Sequence, residues 1–162
     1  MIVPEKIDIA IGVPTGFVYL GEELDSFSKY QQTYFLLKYS GLLIISKEKE
    51  RRFHKGKYSK SQFCLPYSAI SWLINSINNF YTSPSEGGQH AGKIDMEAII
   101  DGEHLLLNRV VSIDGTGYSG FSLNNLSRKV YGASENSRMR QEVSFTGEFL
   151  QRSNFIGLLS RL

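Results

Sequence analysis

Residues 30–60 interleave aromatic rings with cations. Tyr30, Tyr34, Phe35, Tyr39, Phe53 and Tyr58 alternate with Lys38, Lys49, Arg51, Arg52, Lys55, Lys57 and Lys60. A single-stranded nucleic acid needs both kinds of group. Cations follow its phosphates and flat rings stack on its bases, each stack contributing about 1–3 kcal/mol. The charge is also concentrated. Between positions 47 and 60, Lys47, Lys49, Arg51, Arg52, Lys55, Lys57 and Lys60 face only Glu48 and Glu50, in a chain whose net charge is +2. A local cationic stripe attracts polyanions whatever the whole-chain balance. An ordinary solvated hairpin has the same composition, and for Tyr34 and Tyr39 taken singly, core packing competes with base stacking.

Other chemistries fit less well. Gly115-Thr116-Gly117-Tyr118-Ser119-Gly120 matches a glycine-rich phosphate loop. A dinucleotide fold, however, needs that loop to open a helix within a βαβ unit, and here Phe121-Ser122-Leu123 continues as a strand. The same segment lacks the last glycine of a nucleophile elbow. His54, His90 and His104 have no second ligand at metal spacing, and the single cysteine, Cys64, alternates with apolar neighbours as a buried thiol does. The acidic pairs Glu22/Glu23 and Asp101/Glu103 fall in loops and turns, where carboxylates are solvated. The sequence therefore predicts no catalytic residues, no metal and no cofactor.

The elements that must position the stripe are short strands. Ile7–Ile11, Phe17–Leu20, Thr33–Tyr39 and Leu42–Ser46 read as strands, with Ser40-Gly41 turning the chain. Lys55-Gly56-Lys57 is the expected turn into a strand over 61–65. Ile70, Leu73, Ile74, Ile77 and Tyr81 then repeat at helical spacing, predicting a helix over 69–81 that Ser83-Pro84 stops. Trp72 falls on the opposite, polar side and is the candidate oligomer contact. Residues 83–93 read as a linker. Beyond them, strands are expected at 94–100, 104–113 and 117–123, with Asp101-Gly102 and Asp114-Gly115 as turns. A long loop over 124–140, a strand from Val143 to Phe149 and a helix over 154–162 complete the pattern, with Ser153 as its cap.

Strands followed by a helix thus occur twice, in half-units of about 1–82 and 94–162 within a single domain. The predicted class is α+β: two pseudo-repeated antiparallel sheet-plus-helix units packed together. With 162 residues, of which 41% are hydrophobic and 12% aromatic, the chain can build a sizeable core. The single cysteine excludes an internal disulfide. No secretory signal or membrane-spanning run is visible, so the expected location is intracellular, cytoplasmic or nucleoid-associated.

The hairpin Tyr34–Ser46, followed by Ser59-Lys60-Ser61-Gln62-Phe63-Cys64-Leu65 entering the helix, resembles a half-unit of the Whirly and Pur-alpha families. Ile94–Ile113 with Val143–Leu162 is similar to a second Whirly unit. The resemblance covers residues 30–162 in strand order and helix placement. It implies two antiparallel sheets, helices used in oligomer assembly, and single-stranded DNA or RNA laid across sheet edges. Whirly proteins carry Lys-Gly-Lys-Ala-Ala-Leu early in their domain. Here Lys55-Gly56-Lys57 is followed by Tyr58-Ser59-Lys60, and that motif's assembly role is not carried over.

The expected function is non-enzymatic binding of single-stranded DNA or RNA with low sequence specificity, by a homo-oligomer. The expected contacts are Tyr34, Lys38, Tyr39, Lys49, Arg51, Arg52, Phe53, Lys55, Lys57, Tyr58 and Lys60. The competing expectation is a β-rich assembly module, of viral or mobile-element type, that binds no nucleic acid.

Overall fold

A computed structural model describes residues 1–27, 31–51, 53–86, 88 and 94–162, with Lys55 described by its backbone alone. Eight strands form two four-stranded antiparallel sheets, each a simple meander. The first contains β1 (Val18–Asp25), β2 (Gln32–Tyr39), β3 (Leu42–Arg51) and β4 (His54–Pro66), and α1 (Ile70–Tyr81) follows it. The second contains β5 (Asp95–Ile100), β6 (Glu103–Val110), β7 (Gly120–Lys129) and β8 (Arg140–Thr146), followed by α2 (Gly147–Arg152) and α3 (Phe155–Ser160). The molecule is of the α+β class.

Tight turns set the registers. Ser40 and Asp101 adopt positive φ, each followed by a glycine at positive φ, as two-residue hairpins demand. Tyr39 is thereby paired with Leu42 and Ile100 with Glu103. In the first sheet, Tyr34 stands opposite Lys47, and Lys47 opposite Ser61. Period-two alternation then gives that sheet two different faces. Tyr34, Leu36, Leu43, Ile45, Phe63 and Leu65 face inward, joining Leu73 and Ile77 of α1, Leu105, Leu107, Phe121, Leu123 and Phe145 of the second sheet, and Phe149 and Phe155 of α2 and α3. One continuous apolar cluster therefore runs through both sheets and all three helices.

The other face of the first sheet is covered as well. Leu37, Leu42, Ile44 and Cys64 lie beneath Ile7 and Phe17 of the N-terminal segment. Ile7–Ile11, expected as a strand, is not one. The Asp8 carboxylate accepts from the Ala10 N–H at 3.1 Å, and the Asp8 carbonyl accepts from the Ile11 N–H at 3.0 Å, which closes a turn. Side chains of β4 and of the turn after β7 hold this segment's backbone. The Ile7 N–H donates to Gln62 Oε1 at 2.9 Å, the Gln62 amide donates to the Glu5 carbonyl at 3.0 Å, and the Tyr131 hydroxyl donates to the Pro4 carbonyl.

Three other expectations shift. The turn placed at Lys55-Gly56-Lys57 falls earlier, because Arg51 already pairs with His54 and 55–57 belong to β4. The loop expected at 124–140 is strand as far as Lys129. Its polar residues are buried against partners: the Asn125 amide donates to the Cys64 carbonyl at 2.9 Å, and Arg128 forms an ion pair with Glu103. The Val143–Phe149 strand ends at Thr146, whose hydroxyl accepts from the Phe149 N–H at 3.2 Å and starts α2, a helix absent from the sequence reading. The glycine-rich run opens into β7 rather than a helix. Of the predicted linker 83–93, residues 84–86 form a single helical turn, while 87 and 89–93 lie outside the described residues.

Candidate nucleic-acid interface

The predicted contacts separate into two groups. Tyr34 belongs to the core: it is 0% exposed, its ring packs on Phe145, Phe149 and Phe155, and its hydroxyl donates to the Ser144 carbonyl at 2.7 Å. Burial pushes its phenol well above its ordinary pKa. A base cannot reach it. Tyr39 is stacked on Phe17 with ring centroids 4.3 Å apart, so the N-terminal segment takes the position a base would occupy. Lys38 is exposed and sits 4.2 Å from the Tyr67 ring centroid, on the face that Tyr34 and Leu36 share.

Much of the cationic stripe carries internal counterions. Lys47 is nearly buried, which pushes its pKa down against the opposing pull of Asp114, and its Nζ lies 3.7 Å from that carboxylate. Lys49 is 3.4 Å from the same Asp114 oxygen. Lys60 pairs with Asp8 and with Glu48, the latter at 3.6 Å. These contacts raise the Lys60 pKa and lower that of Asp8, in each case chiefly through the hydrogen bond between the two. Lys47, Lys49, Lys60, Ser59 and Ser61 line one side of a cleft of about 350 Å³, with Asp114, Glu142 and Ser144 on the other. Apart from Glu48, the paired acids lie far from the stripe in sequence, Asp114 in an Asp-Gly turn and Asp8 in the N-terminal segment. The charge sum over 47–60 therefore overstates the free charge, and no local signal reveals these partners.

The remaining predicted residues gather at the tip of the β3–β4 hairpin. Among the described residues, the last β2–β3 pair is Gln32 opposite Lys49, with the Glu50 N–H donating to the Gln31 carbonyl at 2.8 Å, and the β3–β4 ribbon runs on past it to Arg51 opposite His54. A bulge between Glu50 and Arg51 bends it, and the Glu50 carboxylate accepts from the Gly56 N–H at 3.1 Å. Gly56 has φ +81°, a conformation that costs a residue bearing Cβ. Arg51 and Lys57 are exposed and have no ion pair among the described residues. Phe53 is 81% exposed and Tyr58 39%. Arg52 lies outside the described residues, as does the Lys55 side chain. The ribbon tip thus presents cations and rings to solvent together.

Other reactive groups are accounted for. Cys64 is buried, and burial raises its thiol pKa. His104 lies 3.0 Å from Glu97 on the outer side of the second sheet. No group of three His, Cys, Asp or Glu side chains among the described residues is placed to hold a metal ion. No described helix is long and apolar enough to cross a membrane. Trp72 is half-buried against the core from α1. Compared with known proteins, the chain matches no family model, and no curated protein is significantly similar to it.

Proposed function

We propose that the chain binds single-stranded nucleic acid through the β3–β4 ribbon, as a non-enzymatic protein built from two Whirly-like or Pur-like half-units. The observation that carries this reading is the ribbon tip, where Arg51, Phe53, Lys57 and Tyr58 are exposed past the last β2–β3 pair of the described residues. Phosphates lie against Arg51 and Lys57, while bases stack on Phe53 and Tyr58. Because any base offers a face to a ring, sequence preference is weak. Lys49, Lys60 and the adjoining cleft act only secondarily, since a phosphate there competes with Asp114 and Asp8. Tyr34 and Tyr39 position the sheet and touch no ligand.

The test is a fluorescence-anisotropy titration of labelled oligo-dT, oligo-U and duplex DNA. Single strands are expected to bind more tightly than duplex, and Phe53→Ala to weaken binding by about 1–3 kcal/mol. Absence of a single-strand signal at low salt contradicts the proposal.

A second reading, an assembly surface, rests on Ile94, Ile99 and Val111, which lie exposed just before β5, within it and just past the end of β6. It predicts an oligomer in light scattering that Ile99→Asp dissociates, with no affinity for either nucleic acid.

A further inference from the structure

The glycine-rich run over 115–120 borders a second cleft, of about 400 Å³, remote from the ribbon in sequence. Its walls come from the last turn of α1, the end of β6, the loop 117–120 and α2. Two of the loop's backbone donors are already used. The Gly117 N–H donates to Ser112 Oγ at 2.9 Å and the Tyr118 N–H to Thr116 Oγ1 at 3.2 Å. The glycines therefore serve the turn and offer no phosphate cradle. Gly120 is required for packing, since a Cβ there would stand 2.0 Å from the Phe145 carbonyl oxygen.

The side chains lining the cleft are in the opposite condition. Among the described residues, the Arg109 guanidinium, the Tyr81 and Tyr118 hydroxyls and the Gln151 amide have no hydrogen-bond or ion-pair partner. All four line this one space. Glu148 also lines the cleft and lies 3.2 Å from Arg152 in an exposed i,i+4 pair. Tyr81 is fixed edge-on to Phe121, at 5.7 Å and 77°, and its hydroxyl would come within 3.2 Å of a Cβ at position 147, which glycine leaves open. Burial raises the Tyr81 phenol pKa, with Arg109 opposing, so the phenol stays protonated and able to donate at neutral pH. Tyr118 presents a half-exposed ring.

We infer that the Tyr81–Arg109–Tyr118–Gln151 cleft binds a nucleotide bearing a phosphate monoester. The phosphate sits on Arg109 and the Tyr81 hydroxyl, and the base lies against the Tyr118 ring within reach of Gln151. A guanidinium with no ion-pair partner suits a phosphate, flanking hydroxyl and amide groups can donate to its oxygens, and the volume falls in the range of small-molecule sites. The chemistry is the same for a free mononucleotide and for the 5′-phosphorylated end of a strand. Only the second source rests on the proposed function.

Calorimetric titration with dTMP and thymidine, and anisotropy with dT6 oligomers carrying a 5′-phosphate or a 5′-hydroxyl, test it. dTMP is expected to bind at least about tenfold more tightly than thymidine, and Arg109→Ala to remove that difference while Arg109→Lys keeps part of it. Arg109 has no described partner, so its replacement leaves the melting temperature unchanged. Tighter binding of the 5′-phosphorylated oligomer that Arg109→Ala abolishes assigns the strand end. Equal binding of both oligomers, with dTMP still bound, assigns the free nucleotide. Equal affinity for dTMP and thymidine, no dTMP binding, or dTMP binding unchanged in Arg109→Ala overturns the site. If oligo-dT still binds at the ribbon in that case, the proposed function stands. If dTMP binds through Arg109 and oligo-dT does not bind at all, the cleft stands and the ribbon reading falls.

Discussion

Two tyrosines expected to stack on bases, Tyr34 and Tyr39, are structural, and the rings left exposed on the β3–β4 hairpin are Phe53 and Tyr58. The contrast between Tyr34 and Phe53 is therefore measurable. Tyr34→Ala opens a cavity among Phe145, Phe149 and Phe155 and is expected to cost about 3–5 kcal/mol of stability. Phe53→Ala, on a ring 81% exposed, is expected to leave the melting temperature in place and weaken oligo-dT binding alone. Calorimetry and anisotropy on the two variants separate the roles. The Asp8–Lys60 pair gives a pH signature. The Asp8 carboxyl is held below its ordinary 3.8, so the stability it contributes is present above that value and is lost as pH falls through the lower folded value. Lys60 is raised above 10.5, so its share is present below 10.5 and is lost as pH rises through the raised value. Asp8→Asn is expected to flatten both limbs in a series of melting temperatures against pH.

Among the elements, the hairpins and α1 were legible because their signals are local. Ser40-Gly41 and Asp101-Gly102 require positive φ, and Ile70, Leu73 and Ile77 repeat at the helical period within one segment. The second half of β7 was hidden, because Asn125 and Arg128 look like loop residues until Cys64 and Glu103 are beside them. The N-terminal segment misled for the opposite reason. Its alternating isoleucines imitate a strand, while Asp8 turns the backbone and Gln62 and Tyr131 hold it in place. The cationic stripe was legible as charge, and the distant counterions of Lys47, Lys49 and Lys60 were not, since Asp114 and Asp8 arrive only by folding. Element packing also makes a prediction at Gly120, where β7 lies against β8. A Cβ there meets the Phe145 carbonyl oxygen and, at 2.8 Å, the Thr146 Cα. Both are backbone atoms that cannot swing aside, so Gly120→Ala is expected to destabilise by about 1–3 kcal/mol in urea unfolding.

At the scale of the molecule, the two sheets are joined by polar contacts as well as by the apolar cluster. The Cys64 N–H donates to Gln141 Oε1 at 2.8 Å, the Asn125 amide returns to the Cys64 carbonyl, and Glu103 accepts from Asn125 at 2.6 Å while pairing with Arg128. Arg128 also donates to the Ile2 carbonyl, so the N-terminal segment, β4 and the second sheet meet at one buried site. Glu103→Gln leaves the Arg128 charge buried without its counterion. It is expected to cost about 3–5 kcal/mol in denaturant unfolding. These contacts join the two sheets, and the β3–β4 ribbon extends past the last β2–β3 pair of the described residues. The salt dependence of oligo-dT binding, compared between the parent chain and Arg51→Ala/Lys57→Ala, tests the ribbon as the binding site most directly. If these two cations hold phosphates, the slope of log affinity against log salt falls by about 0.7 for each phosphate of a single strand that is no longer neutralised, roughly 1.4 in total. An unchanged slope with unchanged affinity would place the nucleic acid elsewhere and contradict the ribbon as its site.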